Sequence, residues 1–188
     1  MKSLISIVVI AAGILFLSGC TEETNITAPE TNYTSGPNWI TLPEREGSMV
    51  ENIIAKTRNI NGSSGGEIII DFNYNGGPHG EVKVIAKLLF RAGSFSGTKA
   101  ITMTIDDVNG TITYSPSMNF NKDAELYVKL EGLNLYGINP NNVDFSYHDP
   151  SGTFGPVDYK EIIVDIPSGI LELKEGKIPH FSRYGFSR

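Results

Sequence analysis

Between residues 68 and 186 of this 188-residue chain, apolar and polar side chains change places at almost every step, and that period of two constrains the fold more than any other feature. Successive side chains of a strand point to opposite faces, so alternation builds one buried and one solvated face, whereas a helix needs apolar residues three and four apart. Val82, Val84, Ala86, Leu88 and Phe90 fall on one side of such a strand, against Glu81, Lys83 and Lys87. Ile101, Met103 and Ile105 alternate with Thr102, Thr104 and Asp106, and Asn109-Gly110 then predicts a turn into residues 111–114. Ala124, Leu126, Val128 and Leu130 oppose Glu125, Tyr127, Lys129 and Glu131; Val143, Phe145 and Tyr147 oppose Asp144, Ser146 and His148; Ile162, Val164 and Ile166 oppose Glu161 and Asp165. With residues 68–72, 171–173 and one C-terminal strand over 178–186, the pattern predicts about eight to ten short strands. That spacing is all-β and fits a single antiparallel β-sandwich, immunoglobulin-like in the broad sense, over residues 38–188.

Residues 48–57 pull two ways. Ser48-Met49-Val50-Glu51 has the form of a capping box, but Ile53, Ile54, Thr57 and Ile60 are β-branched and lead directly into Gly62-Ser63-Ser64-Gly65-Gly66, so the segment reads as a strand. No internal repeat and no linker interrupts the β pattern. Cys20 is the only cysteine, so no intramolecular disulfide is available and the domain must be held by its core. A single domain of this size buries about 70% of its unfolded surface, which suffices.

Ahead of the β pattern, Lys2 precedes an apolar run from Leu4 to Leu17 that is of signal-peptide length and shorter than the roughly 20 residues a bilayer span needs. The run ends in Leu17-Ser18-Gly19-Cys20, which resembles the lipobox of bacterial lipoproteins. The resemblance implies residues 1–19 as a cleaved signal, a lipid on Cys20 and anchorage to a membrane of the cell envelope. Thr21, where many lipoproteins retained at the inner membrane carry Asp, points to the outer membrane, with the domain facing the periplasm or the surface. Residues 20–37, rich in Thr, Asn, Glu, Ser and Pro, read as a disordered tether. The formal charge of -6 includes Lys2, so residues 20–188 sum to -7, and no run of Lys or Arg occurs. Nucleic acid is therefore not expected as a partner, and membrane association falls to the lipid.

Residues suited to chemistry are scattered. His79 lies in the turn Gly76-Gly77-Pro78-His79-Gly80, His148 precedes Asp149-Pro150-Ser151-Gly152, and His180, sharing parity with Ile178 and Tyr184, reads as a packed histidine of the core or rim. Asp106-Asp107 with Asn109, and Asp144 with Asp149 and Asp158, offer oxygens that a calcium ion accepts, without the spacing of a calcium loop. Gly93-Ser94-Phe95-Ser96-Gly97 has the outline of a nucleophile elbow but carries Phe95 at its centre. No metal and no cofactor is expected. Tyr74, Tyr127, Tyr136 and Tyr159 fall on polar-facing or loop positions and are the candidate contacts to a glycan or an envelope protein.

Several segments also carry a family resemblance. Gly65-Gly66-Glu67-Ile68, Ala92-Gly93-Ser94-Phe95-Ser96-Gly97, Tyr114-Ser115-Pro116-Ser117-Met118-Asn119-Phe120 before Ala124-Glu125-Leu126, and Ile178-Pro179-His180-Phe181-Ser182-Arg183-Tyr184 resemble, in order, pieces of the β-sandwich domains of ankyrins, netrin receptors and bacterial surface proteins. The resemblance implies a structural or interaction module with no catalytic residues. The expectation is a lipid-anchored, non-enzymatic interaction domain; the alternatives are a carbohydrate-binding lipoprotein and a hydrolase using facing carboxylates.

Overall fold

The computed structural model describes residues 37–47 and 53–188, so the signal-like run, Cys20, most of the tether and the capping pattern of residues 48–51 lie outside the described residues. Eleven strands are described: β1 (Ile53–Asn61), β2 (Gly66–Asn75), β3 (Glu81–Phe90), β4 (Thr98–Asp106), β5 (Thr111–Ser115), β6 (Asn119–Glu131), β7 (Asp144–His148), β8 (Phe154–Pro156), β9 (Glu161–Asp165), β10 (Ile170–His180) and β11 (Arg183–Ser187). They form two antiparallel sheets, one six-stranded in the order β1-β4-β5-β11-β7-β8 and one five-stranded in the order β2-β3-β6-β10-β9. The chain is an all-β sandwich. Residues 53–61 are strand, as their β-branched side chains predict.

The alternating residues meet in the core between the sheets. Val84 faces Leu130, Ala86 faces Val128 and Leu88 faces Leu126 across β3 and β6, and all six are buried. From the other sheet Ile101, Met103, Ile105, Phe145, Tyr184 and Phe186 close over them. Each such side chain contributes about 1.5–3 kcal/mol by leaving water, which is how a chain without staples reaches stability. Aromatic rings gather where the strands cross between sheets, with Phe181 stacked on Tyr114 at 5.0 Å and set edge-on to Phe120 at 4.9 Å.

The C-terminus departs from the expected single strand. Residues 171–173 and 178–180 belong to one strand, β10, because a bulge at Glu175, whose φ is 55°, inserts a residue and moves the core-facing parity from Leu171 and Leu173 to Gly176 and Ile178. After His180 the chain passes through Phe181 and Ser182 to the other sheet and continues as β11, between β5 and β7. The Tyr184 hydroxyl donates back to the His180 carbonyl and ties the crossing. Parity conceals this break, because the crossing keeps Ile178, Tyr184 and Phe186 on inward-facing positions of two different sheets.

Residues 37–47 form a strap rather than a strand of their own. The amide of Ile40 donates to the Phe186 carbonyl at 2.8 Å and that of Arg188 to the Asn38 carbonyl at 3.0 Å, pinning the strap to the end of β11. It then runs with Ile40 and Leu42 buried to the turn after β2, where Arg45 bridges Gly76. There the Arg45 guanidinium lies 4.2 Å from the Tyr74 ring centroid and 3.0 Å from the Asp107 carboxylate, while the Tyr74 hydroxyl donates to the Pro43 carbonyl at 2.7 Å.

Candidate functional site

Of the acidic groups that suggested metal binding, Asp106 and Asp149 build turns, and Asp144, in β7, accepts the amide of Phe145 at 2.8 Å. The Asp106 carboxylate accepts the amides of Val108 and Asn109 at 3.0 and 2.9 Å and the Asn109 side chain at 2.8 Å. Partial burial opposes its ionisation, but those hydrogen bonds outweigh burial and hold its pKa below the usual range. Asp107 pairs with Arg45. Asp149 accepts the Ser151 hydroxyl at 2.7 Å and the amides of Ser151 and Thr153 at 2.9 Å, bonds that lower its pKa and shape the β7–β8 turn. Among the described residues no three His, Cys, Asp or Glu side chains stand together as a metal site. Within Gly93-Ser94-Phe95-Ser96-Gly97, the Ser94 hydroxyl is fully buried and donates to the Arg91 carbonyl at 2.7 Å, and Phe95 packs edge-on against Phe90 at 5.5 Å. That turn supports the core.

The histidines are separate. His79 is exposed and sits against Gly169 in the neighbouring turn. His180 is at the rim, its ring edge-on to Tyr147 at 5.2 Å, and the hydrogen bond at this position comes through its backbone carbonyl. His148 is half-buried on the outer side of β7.

The four candidate tyrosines do not share a face. Tyr74 corrects the expectation outright: it is buried beneath Arg45, and burial raises its pKa to about 12 against the pull of the guanidinium. Tyr127 lies half-buried on the outer side of the five-stranded sheet, where its hydroxyl bonds to Glu172. Tyr136 is 94% exposed on the loop between β6 and β7, one residue from Leu135, which is buried. Tyr159 stands beside the six-stranded sheet at 38% exposure; partial burial raises its pKa first, and the hydrogen bond and charge of Asp144 raise it further.

Around Tyr159 the outer side of the six-stranded sheet gathers a constellation that the sequence did not reveal. The register sets three rows across the strands: Thr113, Arg183, His148 and Phe154; Thr111, Gly185, Ser146 and Pro156; and Trp39, Ser187 and Asp144. Phe145, Tyr184 and Phe186 alternate with these positions into the core, so the rows face outward. Trp39, half-buried, reaches this face from the strap and occupies the space above Gly185, where a Cβ would stand 3.0 Å from its Cε3 atom and 3.1 Å from Thr111. Ser146 and Ser187 share a hydrogen bond of 2.8 Å in the middle. Phe154, at 46% exposure, closes the first row. Trp39 and Phe154 could not be found by periodicity, because one belongs to the strap and the other to a three-residue edge strand.

The outer side of the five-stranded sheet is different. Its charges neutralise one another in pairs, Lys87 with Glu67 at 3.0 Å, Arg91 with Glu125 at 2.7 Å, Lys174 with Glu161 at 2.9 Å and Lys129 with Glu131. It presents none of the exposed large hydrophobic residues. No protein-family model, no curated protein and no solved structure matches this chain.

Proposed function

We propose that this protein is a lipoprotein of the bacterial cell envelope, anchored through a lipid on Cys20, whose β-sandwich is a non-catalytic interaction module. The observation that carries the reading is the division of labour on the described surface: several carboxylates are spent on turns and ion pairs and the histidines stand apart, while Phe154, Tyr159 and the half-buried Trp39 lie on or beside one sheet face. Catalysis by paired carboxylates needs two of them held across a cleft, whereas Asp106 and Asp149 are tied into turns and Asp107 into an ion pair with Arg45. Recognition needs only a rigid surface with apolar and hydrogen-bonding groups interleaved, and an antiparallel sheet supplies the rigidity. The signal-like run and Leu17-Ser18-Gly19-Cys20 support the anchor.

Metabolic labelling with a fatty-acid analogue tests the anchor. The wild-type chain should take up label and partition with membranes, and Cys20→Ala should lose both, since one cysteine carries the whole attachment. Label retained on Cys20→Ala would remove the lipoprotein reading.

A further inference from the structure

We infer that the outer face of the six-stranded sheet around Trp39, Phe154 and Tyr159 is a binding site for an uncharged oligosaccharide. This names the ligand of the interaction module proposed above and rests on that reading. The first argument is the placement of the indole. Trp39 is the only tryptophan of the chain, and it lies on the solvent side of the sheet, over Gly185, where a Cβ would stand only 3.0 Å from the indole. Burial in the core would release more apolar surface from water, so its place on the outside calls for another use.

The second argument is geometric. Trp39 and Asp144 are two strand spacings apart, about 10 Å, and the row of Phe154 is four residues from the row of Trp39, about 13 Å. The indole itself covers Gly185, and with Phe154 and Tyr159 it frames a stretch the length of a short oligosaccharide. Pyranose rings present apolar C–H faces to aromatic rings and a rim of hydroxyls that both donate and accept. Within the frame the side chains of Arg183 and His148 make no hydrogen bond or ion pair among the described residues, leaving donors for that rim, and Asp144 supplies an acceptor.

The third argument is charge. Arg183 shares the face with two carboxylates, Asp144 and Asp106, the second of which attracts it, and the rest of the mature chain is acidic, so a polyanionic ligand finds no positive field here while an uncharged one meets no repulsion. The neighbouring sheet, with its charges paired and its aromatics covered, offers no exposed large aromatic ring.

The full-length protein in detergent micelles, applied to an array of neutral and anionic oligosaccharides, tests the inference. Neutral glycans should be retained. Titrating the best of them should shift the emission of Trp39 saturably, with no other indole in the chain to confuse the signal. Phe154→Ala and Tyr159→Ala, at positions exposed by 46% and 38%, should weaken binding by about tenfold each. Tyr136→Ala, on the β6–β7 loop, should bind as wild type. Retention of no neutral glycan, retention of anionic glycans alone, or a bound glycan that leaves Trp39 emission unmoved would overturn the site. Because the array does not depend on the anchor, a blank array with normal fatty-acid labelling removes the glycan site alone, whereas lost labelling removes the lipoprotein reading alone.

Discussion

Gly185 shows how one missing side chain can organise a surface. Its backbone is ordinary strand, so an added methyl group meets no torsional penalty; it meets Trp39 and Thr111 at 3.0 and 3.1 Å. Gly185→Ala should therefore push the indole off the sheet, costing about 1–3 kcal/mol and changing the emission of Trp39 in the unliganded protein, which fluorescence-detected unfolding reads in one experiment. Core positions behave more simply. Leu126 is fully buried, and Leu126→Ala should cost about 2–5 kcal/mol, whereas Glu125→Ala on the opposite side should fall within about 0.5 kcal/mol. Equal losses in a denaturant titration would contradict the register. Leu126 was legible because its neighbours two residues away are apolar; Tyr74 was not, because Asn73, Asn75 and Gly76-Gly77 look like the start of a turn while β2 in fact runs on to Asn75.

At the scale of the element, the C-terminal strands carry the largest consequences. β11 lies between β5 and β7 and also receives the strap, so deleting residues 183–188 should divide the six-stranded sheet and leave a chain without a cooperative transition by circular dichroism. Survival of a cooperative transition would mean that β5 and β7 can pair without it. The bulge in β10 makes a subtler test. Glu175 holds a left-handed backbone that glycine adopts freely, so Glu175→Gly should melt at a higher temperature than Glu175→Ala. Both variants lose the contact with Lys160, so the comparison isolates the backbone. Periodicity predicted the strands on either side of this bulge but not their union, since one inserted residue inverts the parity on which the prediction rests.

Among the described residues of the whole molecule three neutral phenols are buried, those of Tyr74, Tyr114 and Tyr184, and burial raises the pKa of each above its ordinary value of 10. A raised pKa contributes stability that is complete below the unfolded value and disappears as the solution pH climbs through the folded one. The denaturant midpoint should hold steady up to about pH 9 and then fall, with all three phenols contributing above about pH 10 and the share of Tyr74 ending near 12. Tyr74→Phe should make the fall between about pH 10 and about pH 12 shallower without abolishing it, and an unchanged slope would show that Tyr74 ionises without unfolding the protein. Alternation alone determined the all-β class and which side chains of most strands face inward, because parity is a property of neighbours in the chain and every apolar run must bury its own face. The order of strands, the crossing at Phe181 and the rows of the outer face were decided only in the tertiary structure. Trp39 reaches Ser187, and Arg183 reaches His148, through backbone hydrogen bonds between segments far apart in sequence. Backbone groups are identical in every residue, so no side-chain pattern specifies which strand lies beside which; that choice follows from how all the buried faces pack at once.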